Sequence, residues 1–152
     1  HFPEELREDV SRRIHEFEQT MAYPYYPGAN ELLTELKGRG IPTAIVTSID
    51  NVKMAHLFDR HPELRTLVDA FIDGSMVTRS KPDPQGYLLG AEAIGIDIHD
   101  CVVVEDSLQG LEAGRRSGAH VVGLSTTNAR TDIGDHADLL FDTISDLRSY
   151  II

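Results

Sequence analysis

The sequence predicts an α/β protein built on a parallel sheet with helices on both faces. Three features carry that expectation. From Ile41 onward, short apolar runs alternate with segments of helical periodicity, the pattern of strand–helix–strand units. The run Cys101-Val102-Val103-Val104 is continuous and ends in polar residues, which reads as a strand buried on both faces. Polar residues also stand at three consecutive strand-to-helix junctions: Thr47-Ser48, Lys81 and Glu105-Asp106. In an open parallel sheet such junctions share one edge, where ligands gather.

Length and composition bound the rest. A chain of 152 residues with 41% apolar content can bury one real core. No apolar run approaches the roughly 20 residues of a membrane span, and no signal-peptide pattern is present, so the cytoplasm is the expected compartment. The net charge of −11 argues against a nucleic-acid partner. A single cysteine, Cys101, excludes an intrachain disulfide and argues against structural zinc. The seven histidines show no metal-ligand spacing and read as structural or surface residues.

Taken in order, Phe2 to Ala22 reads as a helix with Leu6, Val10, Ile14, Phe17 and Met21 in one stripe, stopped by Pro24 and Pro27. Tyr23 to Gly28 is a linker. A helix from about Asn30 turns Leu32, Leu33 and Leu36 inward and ends at Gly38 or Gly40. Ile41 to Thr47 is the next strand. Thr47 and Ser48 stand before a helix over Asn51 to Arg60, where they can cap it or bind phosphate together with its free N–H groups. Ala70 to Ile72 is a short strand, and Asp73 to Ser80 a loop. In Ser80-Lys81-Pro82-Asp83-Pro84, Pro82 keeps Lys81 extended, Asp83 suits an N-cap and Pro84 a first helical position. The helix that follows puts Tyr87, Leu88, Ala91 and Ile94 on one face and ends at Gly95.

After the strand that ends at Asp106, Ser107 suits the N-cap of a helix over Leu108 to Ser117. Gly110 and Gly114 in that helix permit close approach to a strand, and Gly118 suits the position just past its end. His120 to Leu124 is a strand, Thr126 to His136 a polar loop, Leu139 to Phe141 a short strand, and Ile144 to Ile152 a last helix.

Hydroxyls, one cation and two carboxylates on one edge form a sensible set for a phosphoryl group with a divalent ion. The carboxylates suit a hard cation such as Mg²⁺. The cation and the lysine neutralise charge on phosphoryl oxygens, and the hydroxyls orient the group.

These segments resemble a known family. Val46-Thr47-Ser48, Ser80-Lys81-Pro82-Asp83-Pro84 and Val104-Glu105-Asp106-Ser107, followed by Gly110, Ala113 and Gly118, look like three motifs of the haloacid dehalogenase superfamily. The branch most similar holds β-phosphoglucomutase and small sugar-phosphate phosphatases, and Pro27-Gly28-Ala29 resembles the point where its lid chain re-enters the core. The resemblance implies a Rossmann-like core over residues 25–152, with residues 1–24 the last part of a helical cap. It implies phosphoryl transfer through an aspartyl-phosphate with Mg²⁺ and a small phosphorylated metabolite. Phosphatase is the favoured activity, partly because Thr126-Thr127-Asn128 looks like the phosphatase members, and β-phosphoglucomutase is the alternative. Thr47, Ser48 and Lys81 would bind the phosphate, Lys81 would also reach the nucleophile, and Glu105 and Asp106 would hold Mg²⁺. A phospho-receiver domain also joins acids, a hydroxyl and a lysine on a parallel sheet, but it places its acids first and its lysine last. A non-catalytic remnant of the same fold is a third reading.

One part of the family pattern has no counterpart. The Asp-x-Asp nucleophile motif, at the end of a strand central to the sheet, is not found before Phe2 to Ala22. The expectation is a missing N-terminal segment of the same protein, which would carry that strand between those ending at Thr47 and Glu105. The chain also begins at His1. By itself it would then be inactive, with two unpaired strand edges in its core.

Overall fold

The computed structural model describes residues 3–20 and 22–151. It is α/β, with all strand pairs parallel. In chain order the elements are α1 (Glu4–Thr20), α2 (Ala29–Gly38), β1 (Ala44–Val46), α3 (Asn51–Arg60), α4 (Leu64–Leu67), β2 (Ala70–Ile72), α5 (Gln85–Ile94), β3 (Val102–Glu105), α6 (Leu108–Ser117), β4 (His120–Leu124), α7 (Arg130–Ile133), β5 (Leu139–Phe141) and α8 (Ile144–Ile151). Single 3₁₀ turns lie at Ile98–Asp100 and Gly134–His136. Of the residues expected in the first and last helices, Phe2, Met21 and Ile152 lie outside the described residues, and Ala22 is not helical.

Among the described residues the strands form two sheets. β1 pairs with β2 in register Ala44↔Ala70 to Val46↔Ile72. β3, β4 and β5 form the second sheet in that order, with Val102↔His120 and Val122↔Leu139. Helix α5 joins them: it packs on β1, β2 and α6, and its Tyr87 lies in one cluster with Val103 and Ala113, against which Val46 also packs.

Where the strands sit corrects the reading of the valine run. β3 is an edge strand here, with Val103 buried but Val102 56% and Val104 42% exposed. Its Val103 face is closed by α6, where a Cβ on Gly114 would meet Val103 Cγ1 and Val121 Cγ2 at 3.1 Å. No described residue covers the other face as fully. The strand covered on both faces is β4: Val121 packs with Leu111 and Ile133, while Val122 and Leu124 pack with Leu147.

Other expectations are adjusted in the same way. The segment from Thr126 to His136 is not simply a polar loop, since it contains α7, whose Ile133 is 0% exposed. Leu88 leaves the inward face of α5 and is 42% exposed, because Gly86, Tyr87, Gly90 and Ala91 form the buried side. The stripe on α1 exists as a pattern, yet Leu6, Val10, Ile14 and Phe17 are each 47–68% exposed. Ion pairs beside the stripe link successive turns of that helix, with Arg12 bridging Asp9 and Glu16, and Arg13 to Asp9 at 2.8 Å.

Candidate functional site

β1 stops at Val46, and the chain bends at once into α3. The Thr47 N–H still donates to Ile72 O at 2.9 Å, as if the strand continued, while Thr47 Oγ1 accepts from Ile49 N at 3.3 Å. The N-cap of α3 is Asp50, whose Oδ1 accepts from Lys53 N at 2.9 Å. Neither Thr47 nor Ser48 therefore caps this helix, and part of its N-terminal donor set already serves a carboxylate. Ser48 is exposed and, with Thr47, lines a small pocket that Val46, Gly74, Arg79 and Lys81 also border. Gly74 makes this turn possible, since a Cβ there would lie 2.6 Å from Ser48 O.

The opposite wall comes from the segment before α5. Gln85 Oε1 accepts from Thr78 N at 3.0 Å and from Arg79 N at 2.9 Å, and Asp83 Oδ1 accepts from Gln85 N at 3.0 Å. This fixes the backbone on either side of Lys81. The Lys81 ammonium reaches Val46 O at 3.4 Å and forms an ion pair with Glu105, so it spans the ends of β1 and β3. Thr47, Ser48 and Lys81 thus meet in one pocket, and Glu105 joins them through Lys81; Asp106 does not line that pocket.

Glu105 and Asp106 stand in different surroundings. Glu105 has both oxygens engaged. Oε1 accepts from Lys81 and from the Tyr87 hydroxyl at 2.6 Å, and Oε2 from Ser107 Oγ at 3.0 Å and from the N–H groups of Asp106 and Ser107 at 3.2 Å. Burial works to raise its pKa, but the Lys81 charge and these hydrogen bonds outweigh it and hold the carboxyl below its usual range. Burial first, then the neighbouring Glu105 charge, pushes the Tyr87 phenol far above its usual value, so it remains a donor. Asp106 is half-buried, and its Oδ2 accepts from Thr126 Oγ1 at 3.1 Å and from Thr127 Oγ1. Ser107 caps α6 as its sequence position implies, accepting from Gly110 N at 3.1 Å.

Tyr87, Thr126 and Thr127 are site residues that the sequence did not single out for these contacts. Tyr87 reads as a core aromatic, and its polar tip is the signal that a buried partner is needed. The threonines lie on another loop, and no spacing rule links them to Asp106. The donor chemistry fits a hard divalent cation at Asp106, a carboxylate with hydrogen bonds to one oxygen, whereas both Glu105 oxygens serve Lys81, Tyr87 and Ser107. Among the described residues, however, no group of three or more acidic, His or Cys side chains could hold a metal. One carboxylate falls short of a full octahedral set, so water, substrate or further protein oxygens must complete it.

Residues 2–118 match the family model described as haloacid dehalogenase-like hydrolase. Hexitol phosphatase A from Escherichia coli (strain K12) is 36% identical over 121 residues, which are 80% of this chain and 55% of that protein. A bifunctional riboflavin kinase/FMN phosphatase from Arabidopsis thaliana is 28% identical over 122 residues, 80% of this chain and 32% of that protein. The chain thus spans about half, or less, of the length of these curated relatives. The crystal structure of a putative beta-phosphoglucomutase from Thermotoga maritima superposes with a TM-score of 0.81 at 26% identity, covering 95% of this chain and 68% of that one.

Proposed function

Because the chain belongs to the haloacid dehalogenase-like hydrolases, we propose that it forms the phosphate- and metal-binding side of a Mg²⁺-dependent phosphatase for a small phosphorylated metabolite such as a sugar phosphate. The observation that carries this reading is the place of Lys81, whose ammonium bridges the end of β1 to Glu105 beside Thr47 and Ser48. A phosphoryl group in that pocket receives charge from Lys81 and hydrogen bonds from Ser48 and Thr47. Glu105 orients Lys81, and Asp106 is the acid with a carboxylate oxygen left for a metal. Mg²⁺, when bound, supplies charge neutralisation on the phosphoryl oxygens.

The nucleophile is assigned to an Asp-x-Asp on a strand lying between β1 and β3, from a segment outside this chain. Two features support that assignment. Among the described residues, β1 and β3 each hydrogen-bond a neighbouring strand on one side only, and they are not paired with each other. Lys81 reaches the ends of both, where such an aspartate would meet it. In the same reading, residues 1–24 are the end of a cap and residues 25–152 the core. The exposed stripe of α1 supports this division, as a cap helix would bury it against other cap elements.

A second reading, β-phosphoglucomutase, is favoured by the Thermotoga maritima structure. A panel of sugar phosphates given to the full-length protein separates them. Mg²⁺-dependent release of inorganic phosphate is expected, and Asp106→Ala is expected to reduce it at least about a hundredfold while the far-UV circular dichroism stays unchanged. Isomerisation of β-glucose 1-phosphate without net release would establish the mutase instead. Turnover of no phosphate ester would leave the non-catalytic remnant.

A further inference from the structure

We propose that Thr126 and Thr127 are positioning residues that set the direction in which Asp106 presents its carboxylate to a divalent cation; this rests on the metal site proposed above. Three consecutive residues of one loop turn toward this single acid. The Thr126 and Thr127 hydroxyls both donate to Asp106 Oδ2, and Asn128 Nδ2 donates to the Asp106 backbone carbonyl at 2.7 Å. The two hydroxyls converge on the same oxygen. Their hydrogens point at Oδ2, which makes it a poor place for a cation and stops the carboxylate from rotating. Both side-chain hydrogen bonds thus go to Oδ2, which leaves Oδ1 as the oxygen for a cation. Glu105, by contrast, has both oxygens occupied by protein donors.

The loop is built to hold this position. Ser125 N donates to Phe141 O at 3.0 Å, so the β4–β5 pairing extends to the residue just before Thr126. Asp142 Oδ1 then accepts from Ser125 Oγ at 2.8 Å and from Arg130 Nη1 at 2.7 Å, while Arg130 Nη2 donates to Leu140 O at 3.0 Å. Both ends of the segment from Ser125 to Arg130 are therefore tied to the end of β5. Beyond it, Ile133 is fully buried against Leu111 and Val121. A hydroxyl pair on so firm a base can hold a carboxylate to a narrow range of angles. Partners that hold a metal ligand in this way typically change metal affinity about 10–100-fold when removed. The ligand class is a small hard divalent ion, Mg²⁺ or Mn²⁺.

The test is calorimetric titration of the full-length protein with MgCl₂ and with MnCl₂, alongside its melting temperature in EDTA. Thr126→Val with Thr127→Val is expected to weaken binding of both ions about tenfold or more, with a metal-free melting temperature within about 4 °C of wild type. The pair Thr126→Ser and Thr127→Ser keeps the hydroxyls and is expected to restore wild-type affinity. Unchanged affinity in the valine variant overturns the proposal. So does failure of the serine variant to rescue, or a loss of affinity that merely follows unfolding of the metal-free protein. Asp106→Asn separates the two levels. If it binds metal as well as wild type, or if wild type binds none, the metal site itself fails and this proposal falls with it. If Asp106→Asn loses binding and the valine variant does not, this proposal alone fails.

Discussion

Gly110 shows how closely single residues are matched around Glu105. A Cβ at position 110 would lie 2.1–2.3 Å from the Glu105 carboxylate. That carboxylate cannot retreat without giving up Lys81, Tyr87 and Ser107. Gly110→Ala is therefore expected to destabilise the protein by about 1–3 kcal/mol, read as a lower urea midpoint. Tyr87→Phe removes one donor and leaves the ring in place. Glu105 then lacks one of its partners, at a cost of about 1–2 kcal/mol. A Tyr87→Phe midpoint equal to wild type would mean that the Tyr87–Glu105 bond contributes nothing net.

Elements are joined by a few exposed but well-placed acids. Asp69 precedes β2, yet it binds the Lys37 ammonium at the end of α2 at 2.6 Å and the Thr43 N–H just before β1 at 2.9 Å. The hydrogen bond from Lys37, followed by that from Thr43, lowers its pKa below the ordinary 3.8. A depressed folded-state pKa means that the stabilisation is whole above the unfolded-state value. It is lost as pH falls through the lower, folded-state value. Asp69→Asn is thus expected to be less stable than wild type at pH 7, with the gap closing as pH drops below the usual Asp range. Urea midpoints measured from pH 7 down to pH 3 check this, and a gap independent of pH would rule it out. At α3, Asp50→Ala removes the cap bond to Lys53 N and is expected to cost about 1 kcal/mol.

At the scale of the molecule, the arrangement of the two sheets has a measurable consequence. β1 and β3 end beside the same lysine but share no ladder. Unpaired backbone groups on a strand edge are costly unless solvated or met by another strand. Val102 and Val104 on β3 are likewise left exposed. If a further strand inserts there, as proposed, hydrogen exchange should separate this chain from the longer protein. Amides of Ala44–Val46 and Val102–Glu105 that exchange quickly in the chain alone are expected to become protected in the longer form. Equal exchange in both would exclude a strand between them.

The sequence by itself determined the strands, the longer helices and the chemistry at their ends, but not the short helices α4 and α7. Apolar runs bounded by polar residues marked every strand, and Ser107 and Gly118 bracketed α6 because capping chemistry is local. The clustering of Thr47, Ser48, Lys81 and Glu105 was also legible, because a parallel sheet brings successive junctions to one edge. Only the tertiary structure decided which valines are covered. Both valine-rich runs look alike in sequence, yet β4 lies between two strands with packing on both faces, while among the described residues β3 has a neighbour on one side only and leaves Val102 and Val104 exposed. It alone also assigned Tyr87 to Glu105, and Thr126 with Thr127 to Asp106. Those partners come from separate elements, and their meeting is set by how helices and loops pack across the sheet, which no periodicity in the chain encodes.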